Sequence, residues 1–168
     1  MPKGKNIGNF LKSEFDYLKN ERIFLAGKKA DVAEAVGYFQ KNKSGVRLTI
    51  LCQGKADLVY YLKTLRNQNN LRYMLAKLGY INMDDGEFNI VFYFVDVPKI
   101  ADKERKATLA DIYTLLKPSG IAIVFGKGVE KAKTKLINAR FEDYEFEEYN
   151  GTKYLKLVKV SDTDILPQ

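Results

Sequence analysis

The sequence over residues 141–160, FEDYEFEEYNGTKYLKLVKV, decides the fold of this chain. Apolar and polar residues alternate on both sides of Asn150-Gly151, and this dipeptide between two alternating runs is the strongest short-range signal for a β-hairpin. We expect one strand over 141–148 and another over 153–160. A two-residue loop joins only antiparallel strands, so one strand of the sheet must run against its neighbours.

Upstream of this hairpin, short apolar runs alternate with helical patterns. The runs are rich in branched or aromatic residues, as buried parallel strands are, and they cover residues 22–27, 46–52, 89–95 and 121–125. Apolar stripes at helical spacing predict helices between them, over 31–44, 55–67, 102–117 and 129–137. Residues 71–75 fit either a third strand or a helical turn. The pattern predicts an α/β fold with helices on both faces of a mostly parallel sheet.

The length of 168 residues predicts one domain with a sizeable core. We expect this domain to cover residues 1–160, with a short amphipathic N-terminal helix within 1–20 and a flexible tail over 161–168.

Composition excludes several kinds of site. Cys52 is the only cysteine and histidine is absent, so we expect no disulfide within the chain and no metal site of the zinc type. The absence of histidine also excludes Ser-His-Asp and Cys-His triads. Proton transfer would therefore fall to Asp, Glu, Lys or Tyr.

The chain is basic, with a formal charge of +7 and a pI near 9.3. Its lysines are scattered among many acids, which favours a solvated basic surface over nucleic-acid binding. Binding of nucleic acid would require lysines from 3–29, 41–55 and 127–135 to converge on one face. Charged residues interrupt the first 25 positions, so we expect no signal peptide, no membrane span and a cytoplasmic protein.

Four segments of the second half together resemble class I S-adenosylmethionine-dependent methyltransferases. They are Asp84-Asp-Gly-Glu-Phe-Asn-Ile-Val-Phe-Tyr-Phe94, Leu115-Leu-Lys-Pro-Ser-Gly120, the strand 121–125 and Ala139-Arg-Phe-Glu-Asp143. That family typically shows an acidic loop, a Phe-Asp pair opening strand 4, a Leu-Lys-Pro-Gly-Gly turn and a Gly-Phe pair entering strand 6. The resemblance covers residues 84–160 and implies a Rossmann-like sheet of seven strands in the order 3-2-1-4-5-7-6, with strand 7 antiparallel.

The resemblance also indicates where a cofactor would bind. It implies cofactor-binding positions at Gly27, Gln53, Asp84 and Asp85. The family places a Gly-x-Gly-x-Gly loop after strand 1 and an acid at the end of strand 2, whereas this chain has a single glycine, followed by two lysines, and Gln53. Asn89 replaces the aspartate that opens strand 4. These departures predict weak or absent binding of S-adenosylmethionine, and Gly27 fits a simple turn glycine equally well.

Asp96 is the best candidate for a catalytic acid. It follows the strand 89–95, and ligands of open α/β sheets bind at the carboxyl ends of the strands. The alternative is a loop aspartate that precedes the turn at Pro98. Tyr60, Tyr61 and Tyr73 could stack on an adenine or a substrate base, or serve as partly buried structural residues.

Two functions remain open at the level of sequence. The first is a non-catalytic binding or assembly module with a degenerate S-adenosylmethionine site, acting with a protein partner or as a homodimer. The second is an active methyltransferase with a divergent cofactor loop, acting on a small molecule, RNA or protein. Fold alone does not decide between them. A nucleotide-dependent oxidoreductase is disfavoured by the hairpin and by the missing dinucleotide fingerprint.

Overall fold

The computed structural model of the chain describes residues 7–81, 86–95, 102–126, 128–129, 141 and 143–159. Its helices are α1 (Ile7–Glu14), α2 (Lys29–Asn42), α3 (Lys55–Thr64) and α4 (Asp102–Leu115). Its strands are β1 (Arg22–Gly27), β2 (Arg47–Cys52), β3 (Leu71–Leu75), β4 (Phe88–Phe94), β5 (Leu116–Phe125), β6 (Asp143–Tyr149) and β7 (Thr152–Val158).

The seven strands form one sheet in the order β3-β2-β1-β4-β5-β7-β6, as the family resemblance implied. Strands β1 to β5 pair in parallel, whereas β7 is antiparallel to both β5 and β6. The ambiguous stretch 71–75 is a strand and lies at one edge of the sheet. The predicted fold is therefore confirmed.

The hairpin that predicted this topology is present. Tyr149 pairs with Thr152, and the two loop residues between them, Asn150 and Gly151, have positive φ angles of 48° and 78°. Positive φ at both loop residues is the geometry of a type I′ turn, which Asn-Gly adopts readily. The turn lets β7 enter the sheet between β5 and β6.

A hydrophobic core lies on each face of the sheet. The first core packs α1, α2 and α3 against one face, and its members include Phe10, Phe39 and Phe92. The second core packs α4 against the other face, and its members include Phe88 and Ile112. We name these two sides the α2 face and the α4 face.

Several element boundaries differ from the predicted ones. Helix α2 begins at Lys29, two residues before its predicted start, so Asp31 lies in the first turn. Strand β5 begins directly after α4, because Leu116 already pairs with Phe88. The predicted turn over 117–120 is therefore part of that strand. Residues 130–137 of the predicted last helix and the tail 161–168 lie outside the described residues, as do residues 1–6.

Within the described part of the chain, no helix has the length and apolar character needed to span a membrane.

Two glycines allow neighbouring strands to approach the end of β4. Gly27 has a φ of 112°, and a Cβ there would lie 1.9 Å from the Phe94 carbonyl oxygen. Gly126 has a φ of 152°, and a Cβ there would lie 1.7 Å from the Val95 carbonyl oxygen. Next to this contact, the Lys28 N–H donates a hydrogen bond of 2.8 Å to the same Phe94 carbonyl. Both glycines are thus required by backbone packing.

Lys159 joins the end of β7 to the end of α4. Its ammonium donates hydrogen bonds to the carbonyl oxygens of Tyr113 at 3.0 Å and Leu116 at 2.9 Å. It also lies 4.4 Å from the centroid of the Tyr113 ring, although the residue is only 8% exposed. A cation at a helix C-terminus interacts favourably with the carbonyls that have no partner within the helix.

We expect Gly27→Ala to destabilise the protein by about 2–5 kcal/mol, since the new methyl group overlaps a backbone carbonyl at a φ that disfavours side chains. Urea unfolding measures this change. Gly54→Ala is the matched control because a Cβ there meets no atom within 4 Å. Equal stability of the two variants would contradict the packing role of Gly27.

We expect Lys159→Met to destabilise the protein by about 2–4 kcal/mol, because the carbonyls of Tyr113 and Leu116 and an aromatic face lose their cation. The melting temperature should fall on the order of 5–15 °C. Lys153→Met is the control, since this exposed lysine lies on the same strand. A Lys159 variant that melts with the control would show that the buried cation does not stabilise the α4 terminus.

Candidate functional site

The candidate site lies at the carboxyl edge of the central strands, where open α/β sheets bind their ligands. Strands β1 and β2 are parallel neighbours, with Leu25 paired to Ile50, so the chain leaves both strands at the same edge. Gly27 and Gln53 follow at their ends, which brings these two predicted cofactor positions to one edge. The loop 76–81 after β3 and Val95 after β4 also reach this edge.

Asp57 holds the end of β2 against the start of α3. Its Oδ2 accepts a hydrogen bond of 2.9 Å from the Gln53 N–H, and its Oδ1 lies 3.6 Å from the Lys29 Nζ. An acid in the first turn of a helix commonly satisfies a backbone N–H that precedes the helix. Both carboxylate oxygens of Asp57 therefore have partners within the chain.

Gln53 connects the end of β2 to the loop after β3. Its side-chain Oε1 accepts a hydrogen bond of 3.2 Å from the Leu78 N–H. A backbone bond of 3.1 Å from the Ala76 N–H to the Cys52 carbonyl joins the same two segments. Gln53 takes the place of the acid that the family has at the end of strand 2, and its side-chain acceptor already holds a backbone N–H.

The far end of the loop 76–81 is attached to α4 through Asp111. The Asp111 carboxylate accepts hydrogen bonds from the N–H groups of Gly79 and Ile81, the second at 3.3 Å. Burial raises the pKa of this carboxyl, and the two backbone donors oppose that rise. The loop is therefore fixed at β2 on one side and at α4 on the other. Sequence reasoning missed Asp111, because nothing in its local pattern distinguishes it from other polar positions of a helix.

Lys29 adds positive charge at the start of α2, beside the Gly27 turn. Its ammonium is 3.6 Å from Asp57 Oδ1 and 5.4 Å from the centroid of the Tyr60 ring. The side chain thus extends toward α3, where a carboxylate and an aromatic face balance its charge. The pair also links the first turns of α2 and α3.

The tyrosines predicted as stacking candidates pack on one another. Tyr61 is 1% exposed and belongs to the α2-face core, with the Tyr73 ring stacked at 6.4 Å and the Tyr60 ring edge-on at 5.4 Å. Burial raises the pKa of the Tyr61 hydroxyl. Tyr61 is therefore a buried structural residue, the second of the two roles that the sequence left open.

Cys52, the last residue of β2, is buried beside this cluster. Burial raises the pKa of its thiol to about 11, with the nearby Asp57 charge adding to the rise. A thiol with such a pKa is protonated at neutral pH and is a poor nucleophile. Cys52 is thus a core residue rather than a reactive group.

Of the remaining predicted positions, only Asn89 is among the described residues. Asn89 lies near the start of β4, at the opposite edge of the sheet, where its Oδ1 accepts a hydrogen bond of 2.9 Å from the Arg22 N–H. It is therefore a structural link between β4 and β1. Asp84, Asp85 and Asp96 lie outside the described residues.

No protein-family model and no curated protein sequence matches this chain. Solved structures do match it. A putative S-adenosyl-L-methionine-dependent methyltransferase from Methanococcus maripaludis superposes with a TM-score of 0.75 at 13% identity, over 95% of this chain and 86% of that one.

Two further solved structures are similar over nearly the whole chain. The complex of the Haloferax volcanii Trm112 methyltransferase activator with a putative methyltransferase matches with a TM-score of 0.69 at 12% identity, over 92% of this chain and 89% of that one. Haemonchus contortus phosphoethanolamine N-methyltransferase 2, in complex with S-adenosyl-L-methionine, matches at 0.68 and 13%, over 94% of this chain and 53% of that one. At these identities the likeness establishes the fold, and the chain has the fold of class I S-adenosylmethionine-dependent methyltransferases.

Proposed function

We propose that this protein is a binding or assembly module that has the methyltransferase fold but a degenerate S-adenosylmethionine site. The observation that carries the proposal is the internal use of the acceptors at the end of β2. Gln53 Oε1 binds the Leu78 N–H, and both oxygens of Asp57 bind groups of the same chain.

Recognition of a ribose depends on a free acceptor at this position, because the two hydroxyls of the sugar are donors that lose water on binding. An uncharged acceptor that already holds a backbone N–H supplies little of that interaction. Gln53 Oε1 can accept a second hydrogen bond only in the orientation that the Leu78 N–H leaves it. The site therefore favours its own loop over a ligand.

The positive charge at the Gly27 turn also disfavours binding of S-adenosylmethionine. S-adenosylmethionine carries a sulfonium cation, and Lys28 and Lys29 follow the turn directly. Lys29 is balanced by Asp57, so the carboxylate that could attract a cation is neutralised by a residue of the chain. Among the described residues of this edge, the ribose would thus meet an uncharged acceptor and the sulfonium a carboxylate already paired with Lys29.

Assembly with a protein partner is supported by apolar side chains left on the surface. Val59 and Leu62 on α3 are 48% and 60% exposed, and Leu75 at the end of the edge strand β3 is 61% exposed. Exposed apolar groups gathered on one side of a protein commonly mark an interaction site. One structural neighbour is the complex of a methyltransferase activator with a putative methyltransferase. A homodimer is the alternative assembly.

The second candidate function is an active methyltransferase with a divergent cofactor loop. It is favoured by the structural neighbour solved with S-adenosyl-L-methionine and by the preserved order of the strands that would surround the cofactor. In that case Gly27, Gln53, Asp84 and Asp85 would contact the cofactor, and Asp96 would be the candidate catalytic acid.

We expect 1 mM S-adenosylmethionine to shift the melting temperature by less than about 1 °C. A cofactor present at about 100 times its dissociation constant adds roughly 2.7 kcal/mol of stability, which corresponds to a shift on the order of 5–10 °C. Differential scanning fluorimetry with S-adenosylmethionine and its demethylated product measures this shift.

The control variant for this experiment is Gln53→Ala, which leaves the Gly27 turn intact. A shift of several degrees in the unmodified protein that is lost in Gln53→Ala would contradict the proposal and restore the enzyme. Gly27 variants are unsuitable here because the fold itself requires that glycine.

A further inference from the structure

Three arginines lie together at the amino ends of three adjacent strands, on the α4 face. Arg22 of β1 is the Cα partner of Arg47 of β2, and Arg72 of β3 is the Cα partner of Thr49 of β2. Side chains at every second position of a strand lie on the same face of the sheet. Phe24, Leu51 and Met74 share a face with the arginines of their strands, and they belong to the α4-face core or pack against it. The three arginines therefore point to the same side of the sheet.

This part of the α4 face is open. Arg47 and Arg72 are exposed, and Arg22 is half-buried. The loop 76–81 covers the carboxyl half of the face through Leu78 and Ile81, which pack against the core there. None of the described helices covers the amino half over β1 to β3, although both faces of such a sheet are normally covered.

The arginines surround a depression of about 210 Å³. Its remaining lining comes from Thr49, Asn69, Asn70 and the ring of Phe88. Arg72 Nη2 lies 3.5 Å from the Thr49 hydroxyl oxygen. Guanidinium, hydroxyl and amide groups thus converge on a space large enough for a phosphate or diphosphate group.

Among the described residues, the lining of the depression carries three guanidinium groups and no carboxylate. Glu87 Oε1 lies 3.6 Å from Arg22 Nη1, and among the described residues no carboxylate forms an ion pair with Arg47 or Arg72. Arg22 and Arg47 place two like charges on neighbouring strands, and a bound anion would reduce the repulsion between them.

We propose that Arg22, Arg47 and Arg72 form a binding site for the phosphate or diphosphate group of a small ligand. Guanidinium groups bind phosphate oxygens in pairs of parallel hydrogen bonds, and three of them from three strands can surround one such group. The sheet holds their Cα atoms at fixed spacing, so only the side chains have to become ordered around the ligand. It lies at the edge opposite the candidate cofactor site and does not depend on the proposed function.

Isothermal titration of the full chain with inorganic diphosphate at low ionic strength tests this site. The unmodified protein should bind diphosphate, and the double variant Arg47→Gln, Arg72→Gln should bind it about tenfold or more weakly, since each arginine supplies charge-assisted hydrogen bonds. Arg66→Gln is the matched control, because Arg66 lines a groove between α2 and α3 on the other face. Thermal melts of all variants establish that they are folded.

Three outcomes would overturn the proposal. The first is an unmodified protein that does not bind diphosphate. The second is binding that persists unchanged in the folded double variant. The third is binding of a single-stranded RNA oligonucleotide through Arg47 and Arg72 without any binding of diphosphate, which would make the surface a polynucleotide site instead. Weakening of diphosphate binding as salt is added, together with loss in the double variant alone, supports the proposal.

Discussion

Strand β4 is buried on both faces, and its backbone groups have no access to water along most of its length. Phe92 and Phe94 enter the α2-face core, whereas Val91 and Tyr93 enter the α4-face core. A buried backbone must pair with other strands, so β4 needs β1 on one side and β5 on the other. A glycine stands at the end of β1 and another directly after β5, because the carbonyl groups of Phe94 and Val95 leave no room for a Cβ there. Nucleotide-binding folds use the turn after the first strand to bind ligands. In this protein the glycine of that turn, Gly27, is required by its packing against β4.

The same packing determines what is available at the carboxyl edge. Once β1, β2 and β4 end together, the loops that follow them must satisfy their own polar groups. Here Asp57 binds the Gln53 N–H, Gln53 binds the Leu78 N–H and Asp111 binds two further N–H groups of the loop 76–81. Each of these side chains thus holds backbone groups of its own chain. At the opposite edge, Arg47 and Arg72 form no ion pair with the described carboxylates.

The hairpin, four of the five parallel strands and the described helices could be predicted from sequence because their signals are local, whereas the strand order came from the family resemblance. Asn150-Gly151 sets its own turn, and the apolar runs set their own strands. The engagement of Gln53 could not be predicted, since it depends on Leu78, twenty-five positions away. The arginine site was missed for the same reason: Arg22, Arg47 and Arg72 are isolated in sequence and meet only through the register of three strands. The sequence showed that Gly27 and Gln53 depart from the pattern of the family that it resembles, and the structure added the internal contacts of both positions.

The proposed function requires that the acceptors at the end of β2 keep their contacts within the chain when S-adenosylmethionine is present. Nuclear magnetic resonance titration with S-adenosylmethionine measures this at single residues through the backbone amide signals of Gly27, Gln53 and Leu78. The account predicts that these three signals stay in place up to millimolar cofactor, because their hydrogen bonds are retained. Saturable shifts of all three, with the Leu78 amide losing its protection from hydrogen exchange, would show that a ligand replaces the internal contacts and would contradict the account.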